Sequence, residues 1–245
     1  MRDSNAGIGE RPLLECRDLG VTLEGRVILR GLNFTLRAGE CLAIVGPNGA
    51  GKTVLLRALM GQVPHAGEIH WADTVRPGYV PQKMTVDRLL PLTPRDLLAA
   101  KARVLRLAAG HLEAALQIAA LPADLEQRPI GLLSGGQLQK LLLAFALLGD
   151  PPVLLVDEPT ASLDELAEEQ IYERLERLGR ERNLAVVLIS HDLSVVYRYA
   201  ENVLCLNRTA PCFGPTRQVL SPAQLEELYG RPLAYYEHRP RPSRP

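Results

Sequence analysis

The run Gly46-Pro47-Asn48-Gly49-Ala50-Gly51-Lys52-Thr53 has the spacing G-x-x-x-x-G-K-[ST]. Its chemistry is that of a phosphate cradle. Glycines let backbone N–H groups converge on phosphate oxygens, and a helix opening at the end of the loop adds partial positive charge. Lys52 is placed to neutralise β- and γ-phosphates, and the Thr53 hydroxyl to ligate Mg²⁺. Such a loop needs a strand before it and a helix after it. The apolar run Cys41–Val45 and the stretch Thr53–Met60 supply both, so the spacing implies binding of a nucleoside triphosphate.

Two further segments add to this chemistry. Val153-Leu154-Leu155-Val156-Asp157-Glu158 is an apolar strand ending in two acids, with Pro159 stopping it. A strand end beside a phosphate loop puts Asp157 near the metal, directly or through water. Glu158 is then placed to polarise the water that attacks the γ-phosphate. Leu133-Ser134-Gly135-Gly136-Gln137 precedes an apolar helix, Leu138–Leu148. Ser134 suits a helix N-cap, and the two glycines leave the N-terminal amides open to an anion.

These segments need a scaffold. Cys41–Val45, Val153–Val156, Ala185–Ile189 and Val203–Leu206 are near-continuously apolar, as strands buried on both faces of a parallel sheet are. Between them, Leu163–Arg182 carries Leu163, Leu166, Ile171, Leu175 and Leu178 at helical spacing. Alternating strands and helices imply an α/β fold with a parallel core sheet. Residues 13–37 and 66–80 read as short antiparallel strands, and 91–150 as mostly helical. After Asn207 the pattern turns irregular, and the final residues, His238 to Pro245, cannot bury a core.

Bulk properties narrow the class. A chain of 245 residues is long enough for one complete α/β domain. Its net charge of +0 gives no basic footprint for nucleic acid. The apolar run Leu141–Leu148 falls far short of the ~20 residues that cross a bilayer. The N-terminus lacks a signal-peptide layout. A cytosolic location follows as an expectation, with membrane work done through a partner. Cys16, Cys41, Cys205 and Cys212 form no CxxC pair and read as reduced core residues. The five histidines show no metal-ligand spacing.

Taken together, the phosphate loop, the Ser134–Gln137 segment and the Asp157-Glu158 strand resemble the motif set of the ABC-transporter ATPases. Other elements fall in the same order. Gln82, in Gly78-Tyr79-Val80-Pro81-Gln82, resembles the glutamine that links the metal site to the helical subdomain. Ala161-Ser162-Leu163-Asp164 resembles the loop exchanged across the dimer, and His191, in Ser190-His191-Asp192, the switch histidine at the γ-phosphate. The resemblance implies an ABC-type P-loop domain over residues 13–207. It would have a parallel core sheet, an antiparallel β subdomain and a helical subdomain at about 83–150. An extension at 208–237 and a tail at 238–245 follow.

The resemblance further implies ATP and Mg²⁺ as ligands, with Thr53, Gln82 and Asp157 around the metal. Glu158, His191 and Gln82 would be the catalytic set. A homodimer would sandwich ATP between Gly46–Thr53 of one copy and Ser134–Gln137 of the other. Closure would move an integral-membrane permease docked near residues 83–100, which places the chain at the cytoplasmic face of the membrane as a peripheral subunit. Three positions depart from the family pattern. Leu23 stands where an aromatic residue stacks on adenine, Lys140 where Arg is frequent, and Phe145 where another Arg is frequent.

Cargo is read from a narrower resemblance. Pro77-Gly78-Tyr79-Val80-Pro81-Gln82-Lys83 with Leu90-Pro91-Leu92-Thr93, Ser190-His191-Asp192-Leu193, Val203-Leu204-Cys205-Leu206-Asn207 and Cys212-Phe213-Gly214 look like segments of the ATPases of bacterial zinc-uptake systems. Manganese and iron importers share much of this. A zinc importer implies an extracytoplasmic metal-binding protein as an indirect partner. The competing readings are a soluble ABC ATPase acting on ribosomes or DNA and a zinc-sensing protein. The first is disfavoured by zero net charge and absent heptads, the second by its missing ligand pairs.

Overall fold

The computed structural model describes residues 11–73, 75–82, 84, 86–87, 90–160, 165–207 and 211–229. Two sheets and a group of helices make up the architecture. The first sheet holds β1 (Leu14–Leu23), β2 (Arg26–Leu36) and β4 (Ala66–Trp71) in the order β2-β1-β4, all antiparallel. Its alternating residues Leu14, Cys16, Leu19 and Val21 are buried, the period-2 pattern of a sheet with one solvated face.

The second sheet has six strands in the order β5-β6-β7-β3-β8-β9: β3 (Cys41–Val45), β5 (Gly78–Val80), β6 (Val153–Asp157), β7 (Ala185–Ile189), β8 (Asn202–Cys205) and β9 (Cys212–Pro215). All pair in parallel except β9, which is antiparallel to β8. Every residue of β6 and β7 is buried, because helices and the first sheet cover both faces. β3 runs into α1 (Lys52–Leu59) through the phosphate loop. α5 (Glu165–Arg182) and α6 (Leu193–Tyr199) follow β6 and β7.

The helical region comprises α2 (Pro94–Val104), α3 (Ala109–Ala119) and α4 (Gly135–Leu147). Thr93 caps α2, and Ser134 caps α4 through a reciprocal pair. Its hydroxyl accepts the Gln137 amide at 3.3 Å while the Gln137 side chain accepts the Ser134 amide at 2.9 Å. Such a box fixes two of the orphan donors of a helix start. α4 therefore begins three residues before the apolar run that marks it in the sequence.

Three sequence expectations are corrected. Residues 66–80 are not all antiparallel: β5 leaves the first sheet and pairs in parallel with β6. Gly78 permits this, since a Cβ there would lie 2.4 Å from the Ala146 carbonyl oxygen of α4. The chain after Asn207 is not irregular throughout, for it forms β9, α7 (Thr216–Val219) and α8 (Pro222–Tyr229). Cys205 and Cys212 are not reduced: they are cross-strand partners in the β8–β9 register and form a disulfide. Direct antiparallel partners place their Cβ atoms ~4.5–5.5 Å apart, a closeness that a spacing of seven does not announce. Cys16 and Cys41 are free thiols. Burial pushes the Cys16 thiol up to about 12, with Glu15 adding to it, and raises Cys41 as well.

Candidate functional site

The carboxyl ends of β3, β5, β6 and β7 bring the chemistry together, the usual ligand crevice of an open α/β sheet. β3 and β6 both pair with β7, where Ile44 and Asp157 each stand opposite Ile189. The loop after β3, the acids after β6 and the histidine after β7 are therefore at one edge. Lys52 is only 7% exposed. Its Nζ donates to the Gly46 carbonyl at 2.9 Å and the Pro47 carbonyl at 3.3 Å, and lies 3.8 Å from Glu158 Oε1. The Lys52 cation is thus held by its own loop.

Glu158 Oε2 accepts a hydrogen bond of 2.7 Å from Gln82 Nε2. Gln82 is two residues beyond β5, so the sheet pairing of β5 with β6 is what brings these two side chains within reach. Glu158 adopts φ +41°, a left-handed conformation that costs a non-glycine residue ~1–2 kcal/mol. Its amide is anchored to the Ile189 carbonyl at 3.1 Å. Strain of this kind persists where the surroundings over-determine it, and it concentrates at functional sites.

Asp157 is 2% exposed. Burial lifts its carboxyl above the ordinary range, and the Glu158 charge adds to that. The Thr53 and Tyr79 hydroxyls, directed at the carboxylate, and the Lys52 charge oppose the rise. The oxygens of Thr53, Asp157 and the Gln82 amide form a hard donor set that fits Mg²⁺, an ion that keeps several ligand positions for phosphates and water. Tyr79 was not picked out as a site residue by sequence reasoning. Its own pKa is raised by burial and by Asp157, and only the three-dimensional pairing of β5 with β6 reveals it.

His191 is exposed in the turn between β7 and α6, where Asp192 caps α6 by accepting the Ser194 amide at 2.7 Å. The Ser134-Gly135-Gly136-Gln137 segment lies at the N-terminus of α4. Among the described residues no hydrogen bond or ion pair links it to Gly46–Thr53. Asp164 and its neighbours 161–163 lie outside the described residues, as do 83, 85, 88 and 89 of the segment 83–100.

Two departures acquire a physical account. Lys101 of α2 spans to α4, with its Nζ 4.5 Å from the centre of the Phe145 ring. It donates to the Phe145 carbonyl and, at 3.5 Å, to the Ala146 carbonyl. A cation from another helix thus takes up carbonyls at the C-terminal end of α4, where Phe145 stands in place of Arg. Leu23 is half-buried and packs with Ile28 against the core of the first sheet, leaving only an aliphatic surface.

Comparison with known proteins bears on this geometry. The ABC transporter family profile matches residues 29–161. The chain is 41% identical over 219 residues to the zinc import ATP-binding protein ZnuC of Jannaschia sp., spanning 89% of this chain and 88% of that one. It is 36% identical over 220 residues to a metal transport system ATP-binding protein of Thermotoga maritima, spanning 89% and 90%. A solved metal-chelate type ABC transporter in an inward-facing conformation superposes with a TM-score of 0.82 at 28% identity, covering 94% of this chain and 95% of that chain. A profile match over more than half of the chain and a 41% identical relative over most of its length show that the chain belongs to the ABC transporter family and is one of its ATP-binding, ATP-hydrolysing proteins.

Proposed function

We propose that this chain is the ATPase subunit of a metal-ion importer, with zinc as the cargo. The observation that carries the reading is the convergence of Lys52, Gln82, Asp157 and Glu158 at one sheet edge, in a chain whose relatives are named for zinc import. ATP enters with its phosphates in Gly46–Thr53. Lys52 leaves the Gly46 and Pro47 carbonyls for the β- and γ-phosphates. Thr53, Asp157 and Gln82 would hold Mg²⁺, which would supply charge to offset the phosphates. Glu158 takes the proton from the attacking water, and His191 holds the γ-phosphate.

Ser134–Gln137 of a second copy completes the site, since among the described residues no hydrogen bond or ion pair joins the segment to the loop within one chain. The pair sits peripherally on the cytoplasmic face, docked to an integral-membrane permease through the region 83–100, where Met84 and Leu90 are exposed. An extracytoplasmic metal-binding protein delivers the cargo to the permease. No helix among the described residues is long and apolar enough to cross a membrane. Residues 13–207 form the catalytic domain in this reading, with 208–237 as an extension and 238–245 as a tail. Manganese or iron is the alternative cargo, since their importers share the same segments.

Radioactive zinc uptake by cells carrying this chain with its permease tests the reading. Uptake lost with Glu158→Gln and suppressed by cold zinc, but not by manganese or iron, is the expected result. Uptake unchanged by the substitution refutes the cargo assignment.

A further inference from the structure

The chain beyond β8 folds back onto the strand that carries the phosphate loop. Leu220, Leu225 and Leu228 are buried with Ala43 and Val45 of β3 and with Val203 of β8. Attachment is specific as well as apolar. The buried Thr216 hydroxyl donates to the Ala200 carbonyl at 2.8 Å, and the Tyr197 hydroxyl donates to the Leu220 carbonyl. The Cys205–Cys212 disulfide closes the hairpin from which α7 departs.

At the end of this path, the ring of Tyr229 packs on the same cluster. Its hydroxyl oxygen is sealed from solvent and has no completed hydrogen bond. The group that it faces is the backbone amide of Gly46, the first residue of the phosphate loop. Gly46 is already confined on another account. A Cβ there would stand 2.4 Å from the Leu206 carbonyl oxygen, and its φ is +149°. A buried hydroxyl without a partner is a costly arrangement, so one beside a loop that holds its own lysine is poised for a bond in another state.

We infer that Tyr229 is a positioning residue for the phosphate loop, acting through Gly46, which makes the C-terminal extension through α8 a working part of the nucleotide site. This rests on the reading of Gly46–Thr53 as the ATP loop. When Lys52 leaves the Gly46 and Pro47 carbonyls for phosphate, the loop start is released. The Tyr229 hydroxyl then accepts the Gly46 amide and fixes the loop in its loaded form. The group touches neither nucleotide nor water, so its effect falls on ATP binding and not on the chemical step.

The test uses the purified full chain, with Mg·ATP affinity from titration calorimetry and KM and kcat from phosphate release. Tyr229→Phe keeps the ring and removes the hydroxyl. The expected result is a three- to ten-fold rise in Kd and KM, kcat at saturating ATP within two-fold, and a melting temperature of the nucleotide-free chain no lower than that of wild type. Tyr229→Phe at wild-type Kd and KM overturns the inference, as does a fall in kcat without a change in KM. Tyr229→Ala removes the ring as well, and an affinity no worse than wild type would also overturn it. Lys52→Ala is the control. ATP binding that survives that substitution refutes the loop reading and the inference with it, whereas loss of binding there alongside a silent Tyr229→Phe refutes the inference alone.

Discussion

Replacing Glu158 by Gln separates the base from the scaffold around it. Among the described residues its polar contacts are Gln82 Nε2 at 2.7 Å and Lys52 Nζ at 3.8 Å. A Gln carbonyl can still accept from Gln82, and a residue at φ +41° is no more strained as Gln than as Glu. The fold should be unchanged. What disappears is the charge and the ability to take a proton. A positioned general base contributes ~10²–10⁴ in rate, or about 3–5 kcal/mol of barrier at 1.36 kcal/mol per decade. Binding should move the other way. A charge pair near 4 Å is worth ~4 kcal/mol gross at an effective dielectric of ~20, most of it returned in desolvation. Lys52 must give up this pair to reach phosphate. Without it, ATP should bind at least as tightly as to wild type. The assay is phosphate release by the purified full chain beside calorimetric Mg·ATP titration. Turnover within ten-fold of wild type, or affinity weakened by more than ten-fold, would refute the assignment of Glu158 as base.

Three other predictions concern the supports. Lys101→Met should keep most of the packed stem but lose the α4 carbonyl contacts, costing ~1–2 kcal/mol and lowering the melting temperature by ~2–8 °C for a chain of this size; a melting curve unchanged from wild type would deny Lys101 this role. Because burial raises the folded-state pKa of Asp157, the native chain binds more protons there than the unfolded one, so this group's contribution is present below its unfolded pKa and is lost as pH rises through the folded value. Urea midpoints of the nucleotide-free chain should therefore show a loss of stability from about pH 4 upward that Asp157→Asn removes, and equal slopes for the two proteins would count against it. Thiol titration of the unreduced, denatured chain should find two free groups, Cys16 and Cys41, and reduction of the Cys205–Cys212 loop should cost ~2.5 kcal/mol by chain entropy; four reactive thiols before reduction would contradict the bond.

What the sequence made legible was what is local or strongly patterned. The phosphate loop is contiguous, and the apolar runs of β3, β6 and β7 are distinctive because sheet faces covered on both sides admit no polar alternation. β5 was misplaced because three residues are too few to show a period, and its assignment depends on Gly78 fitting under α4. The Cys205–Cys212 bond depends on hairpin register. The partner of the Phe145 carbonyl stands 44 residues away on another helix, so no window around Phe145 contains it. Tyr79 and Tyr229 act through neighbours that only tertiary packing supplies.

These non-local contacts explain how the site is kept ready before nucleotide arrives. Lys52, Glu158 and Asp157 are charged groups at a mostly buried edge, and each unpaired charge would be expensive there. The structure satisfies them with stand-ins: loop carbonyls and Glu158 for Lys52, the Gln82 amide for Glu158, and the Thr53 and Tyr79 hydroxyls for Asp157. On the proposed function, nucleotide binding is then an exchange of partners and not the creation of contacts from solvent. In the proposed reading Lys52 changes carbonyls for phosphate, which frees Glu158 from its cation while leaving Gln82 to orient it. Gln82 extends from β5, and β5 lies against α4, whose N-terminus carries Ser134–Gln137. The residue bonded to Glu158 therefore follows the strand that touches the helix of the second motif. Gly78 against the Ala146 carbonyl and Lys101 on the Phe145 and Ala146 carbonyls fasten the C-terminal end of α4 to β5 and to α2, so the helix that opens with Ser134–Gln137 is packed against the strand that leads to Gln82.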